Sequence, residues 1–229
     1  MEIIHATGVE GARQARGIAV VIDVLRSFTV SAYALACGAR ECRLVATTDE
    51  ARALVATTPH SVICAEEEGL PVDGIAISNS PTQIRAAKLK GRILVQRSSA
   101  GTPVAAAVRG RVDIFAASLV VARATAQACL LRHPDTLTLI ASADHPEDHA
   151  CAQYIEAVIH GEQPDIDRLL RPLKESERYT HLMSGAWPGF PSTDLELALE
   201  PDRFSFAMPA TREAGFLRLT TDDQSTTNG

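Results

Sequence analysis

The stretch that most constrains the chain is Gly17–Gly38, GIAVVIDVLRSFTVSAYALACG. Ile18–Ile22 is wholly apolar and mostly β-branched, the pattern of a strand buried on both faces, as in a parallel sheet. The run stops at Asp23, and Arg26 follows three positions later. Ser27 then opens a second apolar run, Phe28–Cys37, which Gly38 closes in the manner of a helix C-terminus. A carboxylate, a guanidinium and hydroxyls are thereby placed in the turn between a buried strand and a buried helix. Uncompensated charge is costly in such a setting. Three further strand ends carry polar groups in the same way, so the ends are expected to converge on one anionic ligand.

Strand and helix patterns alternate from Ile18 to His160. Strands are expected at Glu41–Val45, Ser61–Ala65, Arg92–Val95, Asp113–Ala117 and Thr136–Ser142, with a short one at Glu2–Ala6. Helices are expected at Thr47–Thr57, from Asn79-Ser80-Pro81 to about Leu89, from Thr102-Pro103 to near Gly110, over Leu119–Arg132 with Ser118 as N-cap, and over Pro146–His160. Gly8–Arg16 reads as a polar connection. The alternation implies an α/β fold with a mostly parallel sheet and helices on both faces, a three-layer α/β/α arrangement. Beyond Gly161 come helical segments rich in Leu and charge (Ile166–Lys174, Glu177–Met183, Thr193–Leu199) and a last strand near Phe216–Thr220. These make a smaller C-terminal part of helices and strand. One unit is expected over residues 1–220, with a division near 160 left open, and a disordered polar tail over 221–229.

With 229 residues, 46% hydrophobic and 22% charged, the chain can bury a full core. A net charge of −6 without any Lys or Arg block argues against nucleic acid or an anionic membrane as partner. No apolar stretch approaches the ~20 residues needed to span a bilayer, and no N-terminal segment has the form of a signal peptide. Cys37, Cys42, Cys64, Cys129 and Cys151 form no C-x-x-C pair and sit among apolar neighbours, which fits buried free thiols and a cytoplasmic location. The apolar Phe28–Cys37 helix and the Leu-rich C-terminal segments leave room for a homodimer.

In an open parallel sheet, ligands bind beyond the carboxyl ends of the strands. Four segments deliver polar groups there: Asp23–Ser27, the acidic loop Glu66–Gly69, Arg97-Ser98-Ser99-Ala100-Gly101-Thr102, and Ser118. Helix starts after Arg26, Gly101 and Ala117 offer backbone N–H groups to a phosphate or sulfonate. Arg26 and Arg97 add charge-assisted hydrogen bonds. Asp23 and Glu66 are hard oxygen ligands of the kind Mg²⁺ takes, one or two at a time, alongside water and substrate phosphate. Blander roles compete. Asp23 could be a turn cap, Arg26 could pair with Asp23, and Glu67, Glu68, Ser98 and Ser99 could be ordinary loop residues. His5, His145 and His149 read as surface or core residues. Several phosphatase schemes are excluded: no second Asp follows Asp23 at Asp-x-Asp spacing, Leu70 stands where a cysteine phosphatase would follow Cys64 with Arg, and neither a P-loop nor a Gly-x-Ser-x-Gly elbow occurs.

Taken in order, Ile22-Asp23-Val24-Leu25-Arg26, Ala65-Glu66, Gly74 leading to Asn79-Ser80-Pro81, a turn ending Gly101-Thr102, and Glu147-Asp148 before Cys151-Ala152 resemble the 2-phosphosulfolactate phosphatase (ComB-like) family across about residues 1–219. The resemblance implies an α/β, Mg²⁺-dependent phosphatase acting on a small anionic phosphate monoester. On that footing Asp23 and Glu66 would bind Mg²⁺, while Arg26 and the backbone of Ser98–Thr102 would hold the phosphoryl group. Ser27, Asn79 and Ser118 would contact substrate, and Arg97 would take its sulfonate or carboxylate. The chain departs from the family pattern at Ala65, Ala76 and Ala100. The last two motivate an alternative, a catalytically silent anion-binding protein on the same fold.

Overall fold

The protein is described by a computed structural model over residues 1–110 and 112–222. Ten strands form one sheet: β1 (Glu2–Thr7), β2 (Ile18–Ile22), β3 (Glu41–Leu44), β4 (Ser61–Glu67), β5 (Leu70–Pro71), β6 (Ile93–Arg97), β7 (Ile114–Ala117), β8 (Thr136–Ala141), β9 (Met208–Glu213) and β10 (Phe216–Leu219). Their spatial order is β1-β8-β2-β7-β9-β10-β3-β6-β4-β5. Five of the nine pairings are parallel, and these fall into two blocks, β1-β8-β2-β7 and β3-β6-β4. The expected mostly parallel α/β architecture is present, with an arrangement the alternation alone did not suggest.

The β9–β10 hairpin lies between the two blocks and joins them through three successive antiparallel pairings. Three reversals leave the second block running opposite to the first. In a flat sheet their carboxyl ends would lie at opposite edges. Neighbouring strands twist by about 20–25° per step, however, and five steps separate β2 from β6, roughly 100–125° in all. The sheet therefore wraps around the helix Ser27–Ala36, whose residues are buried on all sides except at its end. A helix apolar all round belongs inside a core, and this one packs on Leu44, Leu94, Ala116 and Leu217 from both blocks and the hairpin. Helices Ala122–Leu130 and Pro146–Ile159 cover the opposite face through a second core that includes Val20, Leu139 and Ile155.

Several local expectations change. Gly8–Arg13 is a helix, and Leu119–Val121 is a 3-10 turn before the helix Ala122–Leu130. The segment Ile166–Lys174 is two short helices, because Pro172 has no N–H to continue the first. β4 runs on through Glu66, since Glu68 (φ 52°) and Gly69 (φ 80°) turn the chain back onto β5. β9 was unforeseen. Pro209 argues against a central strand, yet it pairs opposite Phe115. Asp222 is held by Ala207 and Arg132, and the remainder of the expected tail, 223–229, lies outside the described residues. Among the described residues, no helix is long and apolar enough to cross a membrane.

Candidate active site

β2 ends at Ile22, and the next residue turns the chain into the buried helix. The Asp23 N–H donates to the Ala117 carbonyl at 3.1 Å, and Asp23 Oδ1 accepts the Ser27 N–H at 2.9 Å, capping that turn. Oδ2 makes no hydrogen bond of ordinary geometry among the described residues, and the Ser142 hydroxyl lies near the carboxylate. Oδ2 approaches Gly101 so closely that a Cβ there would lie 2.6 Å from it and 2.8 Å from Ser27 Cβ. Only glycine allows the second block to come this near the first. Burial pushes the Asp23 carboxyl up to about 6, and the like charges of Glu66 and Glu147 add to the effect.

Arg26 does not pair with Asp23. Its Nη1 donates to the Gly189 carbonyl at 2.6 Å and to Asp194 Oδ2 at 2.8 Å, and its guanidinium lies 4.3 Å from the centre of the Phe190 ring. Asp194 Oδ1 in turn accepts the Ser80 hydroxyl at 2.8 Å and the Thr82 N–H at 3.0 Å. Arg26 and Asp194 form a buried ion pair, 4% and 0% exposed. The Nε and Nη2 donors of Arg26 have no partner among the described residues, and the residue lines a cleft. Asn79, beside the Ser80 cap, lines the same cleft with its Oδ1 taken by Gln96. Gln96 also donates to the Ser27 carbonyl at 2.8 Å and accepts the Ser31 hydroxyl at 2.6 Å, tying β6 to the central helix.

The turn after β6 meets the turn after β2 directly. Ser27 Oγ lies 3.0 Å from Ser98 Oγ, and Thr102 caps back onto Ser98. Glu66 Oε1 accepts the Ser99 N–H, while Oε2 accepts the Gly69 N–H at 2.6 Å and the Ser99 hydroxyl at 3.1 Å. Glu66 thus clasps two loops, with lone pairs remaining for another ligand. Arg97 donates to the Glu66 carbonyl and to Ser99 Oγ and does not line the cleft. The Ser118 hydroxyl makes no cap bond, is enclosed without a partner among the described residues, and is not among the groups that line the cleft. Ala100 lines the cleft, whereas Ala76 is exposed away from it.

Several cleft residues come from stretches that carried no site assignment. His145 follows β8, at the same end of the first block as Asp23, so the strand-end rule applied to it too. Burial, and then the Arg178 charge, lower the His145 pKa and keep its ring neutral. Asp148 accepts the Val24 N–H at 2.8 Å and the Ser142 hydroxyl at 3.0 Å. Burial and the neighbouring Asp23 charge raise Asp148 well above the usual carboxylate range, while the Ser142 hydroxyl lies close enough to ease the Asp23 charge as well. Arg178, Leu182, Trp187 and Phe190 close the cleft from the C-terminal part, where no local motif marks them. Cys64 is no nucleophile: it is enclosed, its Sγ lies 3.2 Å from the Ser78 carbonyl, and burial pushes its thiol up to about 12.

The cleft measures about 210 Å³, below the ~300 Å³ at which drug-sized ligand pockets begin, so it suits a small substrate. Asp23, Glu66 and Glu68 line the cleft together with Arg26 and Arg178, and Arg26 is already balanced by Asp194. An anion entering this field needs a compensating cation. Among the described residues no three His, Cys, Asp or Glu side chains close around a metal. Asp23 Oδ2 and the spare lone pairs of Glu66 nonetheless fit the one-or-two-carboxylate manner in which Mg²⁺ is bound.

A family model for 2-phosphosulpholactate phosphatase matches residues 5–206. The chain belongs to the 2-phosphosulfolactate phosphatase family. Curated relatives named probable 2-phosphosulfolactate phosphatase include one from Bacillus subtilis (strain 168), 36% identical over 149 residues, covering 63% of this chain and 64% of that protein. Another, from Carboxydothermus hydrogenoformans, is 32% identical over 151 residues, covering 65% and 62%. A third, from Deinococcus radiodurans, is 32% identical over 124 residues, covering 54% and 52%. The aligned stretches thus span between about half and two thirds of these relatives. For the 2-phosphosulfolactate phosphatase family match, every cleft residue from Asp23 to Phe190 lies inside the matched span, and β9 begins just beyond it.

Proposed function

We propose that the protein is a Mg²⁺-dependent phosphatase that hydrolyses a small, multiply anionic phosphate monoester, taking 2-phosphosulfolactate and water to sulfolactate and phosphate. The observation that carries this reading is the presence in one cleft of two uncommitted groups, Asp23 Oδ2 and the Nε–Nη2 edge of Arg26. Neither makes a hydrogen bond of ordinary geometry to another group among the described residues, and both residues line one cleft. Phosphate monoesters hydrolyse so slowly alone that catalysis depends on stabilising the transferring group.

Asp23 and Glu66 would hold the Mg²⁺ ion, which supplies Lewis-acid polarisation of the phosphoryl oxygens when bound. Arg26, fixed from behind by Asp194 and Phe190, points its free edge at the same oxygens, so little reorganisation is needed as charge develops. Asn79 and the Ser98–Ser99 turn orient the ester from the opposite wall. His145, neutral and lining the same cleft, is suited to accept a proton from water. Trp187, Phe190 and Leu182 limit the water that can enter.

The test is phosphate release from a panel of phosphomonoesters with and without Mg²⁺. Turnover of 2-phosphosulfolactate is expected to need the ion, and Asp23→Asn should lower kcat/KM about a thousandfold or more. Full activity in Asp23→Asn would remove the metal assignment. Stabilisation by phosphate without any turnover would point instead to the silent binding protein.

A further inference from the structure

We propose that Arg178 forms a second anion subsite in the cleft, holding the charged group of the substrate that lies away from the phosphoryl, a sulfonate or a carboxylate. This rests on the phosphatase reading of the site but is separable from it by experiment. Among the described residues, Arg26 and Arg178 are the two guanidiniums that line the cleft. Arg26 stands beside Asp23 and is committed to that end. Arg97, which the sequence suggested for the second anion, is turned onto the Glu66 carbonyl.

Arg178 sits in the helix Glu177–Met183, and its Nη2 donates to Glu147 Oε1 at 3.0 Å. Glu147 is 1% exposed, and its Oε2 is enclosed with no partner among the described residues. A two-point Arg–carboxylate pair would satisfy both oxygens. This pair makes one contact, so Glu147 fixes the guanidinium without using it up. Among the described residues Nη1 has no hydrogen-bond partner, and Nε is enclosed and unpartnered. Leu182, Trp187 and Phe190 line the same cleft as the two guanidiniums. Two cationic groups with an apolar wall match a short carbon skeleton carrying two anions. The neighbouring His145 is neutral and does not compete as a third cationic site.

The test is calorimetric titration of the full chain in Mg²⁺-containing buffer with sulfolactate, lactate, 2-hydroxyethanesulfonate and inorganic phosphate. Wild type is compared with Arg178→Gln, Arg178→Lys and the double variant Arg178→Gln with Glu147→Gln. The double variant removes the buried charge that the single change would leave unpaired. Sulfolactate affinity is expected to fall about ten- to a hundredfold in the Gln variants, with phosphate affinity held within about twofold and Arg178→Lys intermediate. A parallel fall for 2-hydroxyethanesulfonate assigns the sulfonate to Arg178, and a parallel fall for lactate assigns the carboxylate. Unchanged sulfolactate affinity in the double variant, an equal loss for phosphate, or no sulfolactate binding to wild type overturns the subsite. Phosphate release is read separately. A wild type that turns over no phosphomonoester yet discriminates through Arg178 would overturn the phosphatase reading and leave the subsite standing.

Discussion

The two oxygens of the Asp23 carboxylate stand in different settings. Oδ1 caps the turn through the Ser27 N–H, and Oδ2 is left in a buried setting with like charges nearby. Its pKa is about 6 in the folded chain against an ordinary 3.8, so the folded state holds the extra proton between those values. Stability should therefore fall as pH rises from about 4 to about 6 and level off above. In metal-free protein, Asp23→Asn should be more stable than wild type at pH 7 by on the order of 2–3 kcal/mol, with the difference vanishing near pH 4. Urea denaturation at several pH values checks this. Magnesium binding should show the same group from the other side, strengthening up to about tenfold per pH unit as pH approaches 6 and flattening above it. A flat profile through that window would remove Asp23 from the metal site.

At the scale of elements, the Arg26–Asp194 pair joins the β2 exit to the helix Thr193–Ala198, and Asp194 also anchors the start of the helix Pro81–Ala86. Removing one member of a buried pair strands the other charge. Asp194→Ala should cost about 3–5 kcal/mol in stability. The milder Asp194→Asn, which keeps the side-chain shape but loses the charge and turns one acceptor oxygen into a donor, should weaken inorganic phosphate binding as Arg26 loses its fixed pose. Equal phosphate affinity in wild type and Asp194→Asn would make the pair purely structural. Much at this scale was readable from local chemistry. Thr47 with Glu50 forms the capping box of the helix Thr48–Thr57, and Ser80 with Pro81 starts the next. What local chemistry hid was β9, whose Pro209 argues against a central strand even though Met208 is fully enclosed there.

At the scale of the whole molecule, the β9–β10 hairpin sets the relation between the two parallel blocks. It pairs with β7 on one side and β3 on the other, and Met208, Leu217 and Leu219 complete the core around the central helix. Truncation after residue 206 should leave two unpaired strand edges and an open core. The shortened chain is expected to lose cooperative unfolding and amide protection in β3 and β7, measured by hydrogen exchange. Retained protection there would mean that the blocks pack without the hairpin. The sequence alone determined the buried strand Ile18–Ile22, the apolar helix after it, and the strand-end placement of Asp23, Glu66 and Ser98–Thr102, because burial patterns and turn chemistry act over a few neighbours. Only the tertiary structure decided that Arg26 faces Asp194, that Arg97 turns away, and that His145 and Arg178 enter the cleft. Those outcomes depend on contacts between residues such as 26 and 194, set by sheet twist and by a hairpin inserted between strands far apart in the chain.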